Sequence, residues 1–216
     1  MQDNVELKGI ILKSEPIGDY DRRIVILSDT RGKITAFARG ARKPGSRFVA
    51  STNPFTFATF KLYEGRNSYS VNDIEVSSFF EELRADYKGA YYGMYMLEIA
   101  DYYTRENNDE KEMLKLLYQS LRALMHAPID NRLIRAVYEI KSTVINGEFP
   151  GPKDNKQYKN ATLHAIDHIM QSSIEKLYTF TVKEDILAEL EEIAADTCRR
   201  TMNYPFKSLE ILNTIE

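Results

Sequence analysis

Near residue 80 the chain changes its hydrophobic period, and that switch limits the architectures open to it. Before it, apolar residues alternate in runs of eight to ten residues, VELKGIILKS, RRIVILSD, GKITAFAR, PFTFATFKLY and SYSVNDIEV. Turn-forming breaks separate the runs at Pro16 and Gly18, at residues 29–32, 40–45 and 65–67. Period two bounded by Gly, Pro, Asn and Asp is the pattern of short, half-buried strands. After the switch the spacing becomes helical: Leu133, Val137, Ile140 and Val144 follow i, i+4, i+7, i+11, and Ile186, Leu190, Ile193 and Thr197 repeat it. A block of strands followed by a block of helices predicts an α+β chain of two domains, residues 1–80 and 81–216.

Five short strands result, and two of them change phase. In PFTFATFKLY the apolar parity moves from Phe55 and Phe57 to Phe60 and Leu62, and in the last run from Tyr69 and Val71 to Ile74 and Val76. A strand that changes phase needs a bulge or a new packing partner, as the bent strands of small closed barrels do. The expectation is an N-terminal five-stranded OB-fold β-barrel, followed by an all-α C-terminal domain. Its helices are expected over 83–105, 110–126, 130–146, 160–177 and 183–202, with a last turn at 206–213.

Net charge over the 216 residues is −3, which alone argues against a polyanionic partner. Distribution reverses that reading. Residues 1–80 hold 12 Lys and Arg against 9 Asp and Glu, net +3; the remainder holds 17 against 23, net −6. Within residues 31–47, RGKITAFARGARKPGSR, there are Arg31, Lys33, Arg39, Arg42, Lys43 and Arg47 and no acid. Clustered cations neutralise phosphates and release counterions, giving sequence-independent affinity for nucleic acid. Phe37, Phe48, Phe55, Phe57 and Tyr63 lie in or near this segment. A barrel must use about half of such rings for its interior, so only one or two are expected to stack on bases. Phe48, directly after the Gly/Pro-rich loop, is the leading candidate.

Other chemistries fail on composition. Gly40 and Gly45 have the spacing of a phosphate-binding loop, but Ser46 and Arg47 stand where Lys and Ser or Thr are required. His164 and His168 are i, i+4 on a helix without a third ligand, and the single Cys198 forms neither a disulfide nor a structural zinc site by itself. No nucleophile and base pair, no acidic metal cluster and no cofactor motif appears, so no enzyme is expected. Tyr87, Tyr91, Met94, Tyr95 and Tyr102 form a stripe on the first long helix with Glu98 on the same face. Glu98 is expected to find Tyr hydroxyls or an Arg and to fix how barrel and helices dock. No apolar run is long enough to span a membrane, and the first residues lack a basic segment followed by an apolar one, so a cytoplasmic placement is expected.

The order GIILKSEPIGDYDRRIVILSDTRGKITAFARGARKPGSRF, then PFTFATFKLYEG, then FFEELRADY with YMLEIADYY, and finally FKSLEIL, resembles the RecO family of recombination mediators over nearly the whole chain. The resemblance implies binding to single- and double-stranded DNA, annealing of complementary strands, and loading of RecA together with RecR and the single-stranded-DNA-binding protein. It implies a bacterial, nucleoid-associated protein and places DNA contact on Arg31, Lys33, Arg39, Arg42, Lys43 and Arg47. Many family members carry a four-cysteine zinc module where this chain has INGEFPGPKDNKQYKNAT, so metal-free folding is expected. The acidic tail of the single-stranded-DNA-binding protein needs a local basic spot on the helical half, with Arg132 and Arg135 or Arg199 and Arg200 as candidates. An RNA-binding module and a protein adaptor with no nucleic-acid partner remain the rival readings.

Overall fold

The computed structural model describes residues 4–66, 68–126, 128–153 and 156–215. Its residues group into two compact units, 1–81 with 100–114, and 82–99 with 115–216.

The first unit is built on a closed barrel in the order β1-β2-β3-β5-β4. The strands are β1 (Asn4–Ile17), β2 (Asp21–Ser28), β3 (Gly32–Ala38), β4 (Phe57–Glu64) and β5 (Tyr69–Ser78), with β3 and β5 parallel and the other pairs antiparallel. This is the expected OB-type barrel. Its interior is filled by the inward set Leu7, Ile11, Ile24, Ile26, Ile34, Ala36, Ala58, Phe60, Leu62 and Tyr69. The 14-residue β1 closes the barrel because its first half pairs with β4 and its second with β2. Where both partners are engaged stands Gly9, whose Cβ would lie 2.4 Å from the Leu27 carbonyl oxygen. Only a residue without a side chain fits that approach.

The bends lie partly where the sequence pattern puts them. Between Lys61↔Asp73 and Leu62↔Val71 the β4/β5 register skips Asn72, which brings Val71 and Ile74 to the same core despite their odd spacing. The phase change expected in β4 has another cause. Phe55 precedes the strand in a turn with φ 69°, while Ala58, Phe60 and Leu62 alternate regularly inside it. β1 carries an irregularity of its own between Ile11 and Lys13, where Ile11 exchanges hydrogen bonds with Phe55 and Thr56. The strand also runs through Pro16, expected as a break, to Ile17; at the penultimate position a missing N–H costs the ladder little. A short helix α1 (Phe48–Ser51) stands between β3 and β4, where none was expected.

Residues 100–114 belong to the barrel unit. The Lys33 amide donates to the Arg105 carbonyl and the Asn107 amide to that of Arg31, while Gly32 forms an isolated bridge with Glu106. Gly32 has φ 63°, and a Cβ there would meet the Arg105 oxygen at 2.2 Å.

The second unit is helical. α2 (Glu81–Ala85) and α3 (Tyr87–Tyr103) replace the single expected helix over 83–105, and α4 (Lys111–Leu124), α5 (Asn131–Ile145), α6 (Asn160–Gln171), α7 (Glu184–Thr201) and α8 (Lys207–Ile215) follow. Expected as continuous to 177, α6 stops at Gln171 because Ser172 is extended, and a 3₁₀ turn covers Ile174–Lys176. α5 lies at the centre. Leu133, Ile134, Val137, Tyr138 and Ile140 are buried along it, its N-cap Asp130 accepts from the Arg132 amide, and the Tyr138 hydroxyl donates to the Met96 carbonyl.

Candidate nucleic-acid interface

β3 divides the basic segment. Arg31 precedes the strand and Arg39 follows it, so at about 3.3 Å per residue their backbones stand roughly 25 Å apart. At the first end the cations are engaged internally. Arg31 pairs with Glu64 at 3.4 Å, and Lys33 pairs with Asp101 Oδ1 at 3.0 Å. Lys13 reaches Oδ2 of the same carboxylate at 2.6 Å. Burial alone raises the pKa of Asp101, but hydrogen bonds from Lys13 and Lys33 outweigh it and hold the carboxyl below its ordinary range.

At the other end the chain leaves the barrel through a turn that the β1–β2 connection organises. The Gly40 amide donates to Asp21 Oδ1 at 2.7 Å, and the Arg42 amide to the Tyr20 carbonyl at 2.8 Å. Gly40 and Gly45 have φ of 64° and 77°, left-handed values that let the turn reverse and keep Arg42 and Lys43 on the outside. Arg42 touches the Gly18 carbonyl at 3.3 Å, and the Lys43 ammonium lies 5.6 Å from the centre of the Tyr20 ring. Arg39 is exposed. Among the described residues, no salt bridge holds Arg39, Arg42 or Lys43.

Arg47 and Phe48 have different surroundings. Arg47 donates to the carbonyl of Asn72, the residue skipped in the β4/β5 register, at 2.9 Å, and pairs with Asp73 at 3.1 Å. Its guanidinium lies 4.8 Å from the centre of the half-buried Phe48 ring. Arg22, from the conspicuous GDYDRR run, fastens the start of the next segment: it donates to Val49 O, Thr52 Oγ1 and Asn53 Oδ1 at 2.7–3.2 Å. Burial and the nearby Arg42 charge lower the pKa of Arg22. Arg23 pairs with Glu15 and Lys61 with Glu75.

A cleft of about 350 Å³ opens between the β1–β2 and β4–β5 turns, lined by Ile17, Gly18, Asp21, Phe37, Arg39, Ser68 and Ser70. Phe37 comes from the outer face of β3, opposite in parity to Ile34, Ala36 and Ala38. Phe55 is buried, and Phe57 lies beneath the Lys8 ammonium at 5.2 Å. Sequence reasoning missed three residues here. Tyr20 is 50% exposed, Asp21 anchors the turn, and exposed Arg66 lies on the same turn as Ser68. Tyr20 and Asp21 sit in the GDYDRR run, whose polarity reads as an ordinary turn until its pairing with Gly40 is known.

In the helical unit Glu98 accepts from the amide and hydroxyl of Ser208 at the start of α8, in place of the expected Tyr or Arg partner. The Tyr hydroxyl goes instead to a carboxylate the sequence does not single out: Tyr95 donates to Glu139 at 2.8 Å, and Arg135 reaches the same oxygen at 3.0 Å. Burial, then the Glu139 charge, raises the Tyr95 pKa well above its usual value. Arg132 is held by Glu184, Asp130 and Glu191. Arg135, paired with Glu139, and Arg199, 3.6 Å from Asp196, line one cleft of about 330 Å³ together with Glu139, Met202, Tyr204, Phe206 and Leu209. His168 stands edge-on to Phe180 and contacts Ser172; among the described residues no group of three or more His, Cys, Asp or Glu side chains is placed to hold a metal. No helix among them is long and apolar enough to cross a membrane.

Comparison with known proteins covers both units. Residues 1–80 match a family model described as "Recombination protein O N terminal", and residues 84–151 one described as "Recombination protein O C terminal". Among curated relatives named DNA repair protein RecO, that of Acetivibrio thermocellus is 25% identical over 98% of this chain and 97% of its own length. That of Clostridium novyi is 25% identical over 97% and 93%, and that of Alkaliphilus metalliredigens 32% identical over 68% and 59%.

Proposed function

The chain belongs to the RecO family of DNA repair proteins, and from that premise we propose that its barrel holds single- and double-stranded DNA and brings complementary single strands together for annealing. The supporting observation is the mouth of the barrel around the β1–β2 turn. Arg39, Arg42 and Lys43, without acidic partners among the described residues, gather beside a cleft that Arg39 and Phe37 line, with the Lys43 ammonium near the ring of the exposed Tyr20. The face of strands 2 and 3 and the loops joining strands 1–2 and 4–5 are the surfaces with which OB-type barrels hold oligonucleotides. Phosphate contact falls to Arg39, Arg42 and Lys43, with Arg47 at the margin. Arg31 and Lys33 stabilise the opposite end of β3 through Glu64 and Asp101, a structural role.

Residues 1–80 carry DNA contact, and residues 81–216 carry docking of protein partners. The apolar cleft of Met202, Tyr204 and Phe206, with the exposed Arg199 at its edge, is where the acidic, apolar tail of the single-stranded-DNA-binding protein docks. Acting with RecR and that protein in the bacterial cytoplasm, the chain promotes RecA loading without catalysing a covalent step. Titrating labelled single strands at several salt concentrations tests the DNA reading. Three to four engaged phosphates give a slope of log affinity against log salt of about −2 to −3; a slope near zero removes phosphate contact from the account.

A further inference from the structure

The cleft between the two turns has a composition that charge neutralisation alone does not explain. A surface for backbone phosphates alone is built of cations, hydroxyls and amide N–H groups and has no use for a carboxylate. Here Asp21 lines the cleft beside Phe37, Ser68 and Ser70, and Arg39 is the one cation in the lining among the described residues. Asp21 spends Oδ1 on the Gly40 amide, and its Oδ2 has no proton donor among the described residues. A carboxylate repels a phosphate from the interior of the cleft but accepts a hydrogen bond from an amino group, as Asp and Glu do from the N4 amine of cytosine. The Phe37 ring contributes a flat apolar surface of the kind on which unpaired bases stack. Ile17, beside it, is among the few large apolar side chains this unit exposes, with Tyr20 and Val49, and all three border the basic turn.

We propose that this cleft is a nucleobase subsite. It takes one unpaired base that stacks on Phe37 and turns an exocyclic amino group to Asp21, while the adjoining phosphates run outward to Arg39, Arg42 and Lys43. The inference rests on the reading of the barrel as a DNA-holding surface and adds a preference to it: strands rich in amino-bearing bases are held more tightly than thymine strands. It also separates roles within the mouth, since Arg39 and its neighbours read charge and the cleft reads the presence and edge of a base. A paired base is inaccessible to such a cleft, so the subsite favours the unpaired strand over the duplex.

The test is fluorescence anisotropy at neutral pH and fixed salt, with oligo(dC), oligo(dT) and an abasic oligomer of equal length and charge. The intact protein is expected to bind oligo(dC) about fivefold more tightly than oligo(dT), and the abasic oligomer most weakly. Asp21→Asn keeps an oxygen for the Gly40 amide and exchanges the other acceptor for a donor, so the dC over dT preference is expected to vanish or invert. Phe37→Leu is expected to weaken both base-bearing strands about fivefold and to leave the abasic oligomer unchanged. If the intact protein binds the abasic oligomer as tightly as oligo(dC), the subsite is overturned while the barrel remains a phosphate-binding surface. That comparison uses no variant and stands even if the substitutions impair folding. If none of the three oligomers binds at low salt, the DNA reading of the barrel falls along with the subsite.

Discussion

Asp21 and Gly40 are joined by a 2.7 Å hydrogen bond from the Gly40 amide to the Asp21 carboxylate, across 19 residues of chain, at the point where β3 leaves the barrel. The bond fixes where the basic turn begins. Asp21→Ala is expected to cost about 1.5 kcal/mol, since it leaves a backbone donor without its charged acceptor, and to weaken oligonucleotide binding by releasing Arg42 and Lys43 from their place beside Tyr20. Asp21→Asn is expected to retain most of the stability. Chemical denaturation of the two variants with unchanged m-values checks the ordering.

Lys33 and Arg39, six residues apart, are expected to behave oppositely. Lys33→Gln loses the contact with Asp101 and lowers the melting temperature with little change in the salt slope of DNA binding. Arg39→Gln leaves the melting temperature within a degree or two and reduces the salt slope by about 0.7. Equal effects of the two substitutions on DNA binding would return Lys33 to the interface.

The lowered pKa of Asp101 sets a pH window. A group with a depressed folded-state pKa stabilises the fold above its unfolded value, about 3.9 for Asp, and that contribution disappears as pH falls through the folded value. Wild-type stability is therefore expected to drop below about pH 4 more steeply than that of Asp101→Asn. Parallel acid titrations followed by circular dichroism would show no such difference if the Lys13, Lys33 and Asp101 cluster were absent.

Much of this was legible in sequence where chemistry is local. The switch of period near residue 80 specified strands before helices, and the odd spacing of Val71 and Ile74 announced the skipped Asn72. Phe55 misled because an apolar residue two places before a strand looks like part of it, whereas its left-handed backbone sets it in a turn. The six cations read as one cluster because sequence distance hides a strand that separates its two ends. Partners far along the chain decide which cations are spoken for: Glu64 for Arg31, Asp101 for Lys33 and Asp73 for Arg47. Tyr95 and Glu139 show the same limit, since a stripe of tyrosines does not reveal which acid 44 residues away receives a hydroxyl.

The segment that many family members use for zinc is here tied to α7 by charge. Lys153, Lys156 and Lys159 pair with Asp196, Glu192 and Asp185, while Thr162 and the Lys159 amide donate to Glu189. These carboxylates follow i, i+4, i+7, i+11 on one helix face, and hydrogen bonds from Lys159, Thr162 and Lys153 lower the pKa of Asp185, Glu189 and Asp196. The Lys156–Glu192 and Lys159–Asp185 pairs are exposed, so each contributes little and salt screens them. Thermal unfolding is expected to be indifferent to chelators, and to shift downward modestly with added salt at neutral pH or on acidification below about pH 4. A fall of several degrees on chelation would instead reveal a structural metal.

Charge reversal at the mouth of the barrel tests whether DNA is held there. Arg39, Arg42 and Lys43 are exposed and outside the core, so replacing all three by Glu is expected to leave the circular dichroism spectrum and melting temperature close to wild type. Annealing of two complementary single strands, followed by fluorescence quenching at physiological salt, is the measurement. The folded triple variant is expected to anneal complementary strands no faster than they anneal without protein; annealing at the wild-type rate would move the DNA path away from the β1–β2 end of the barrel.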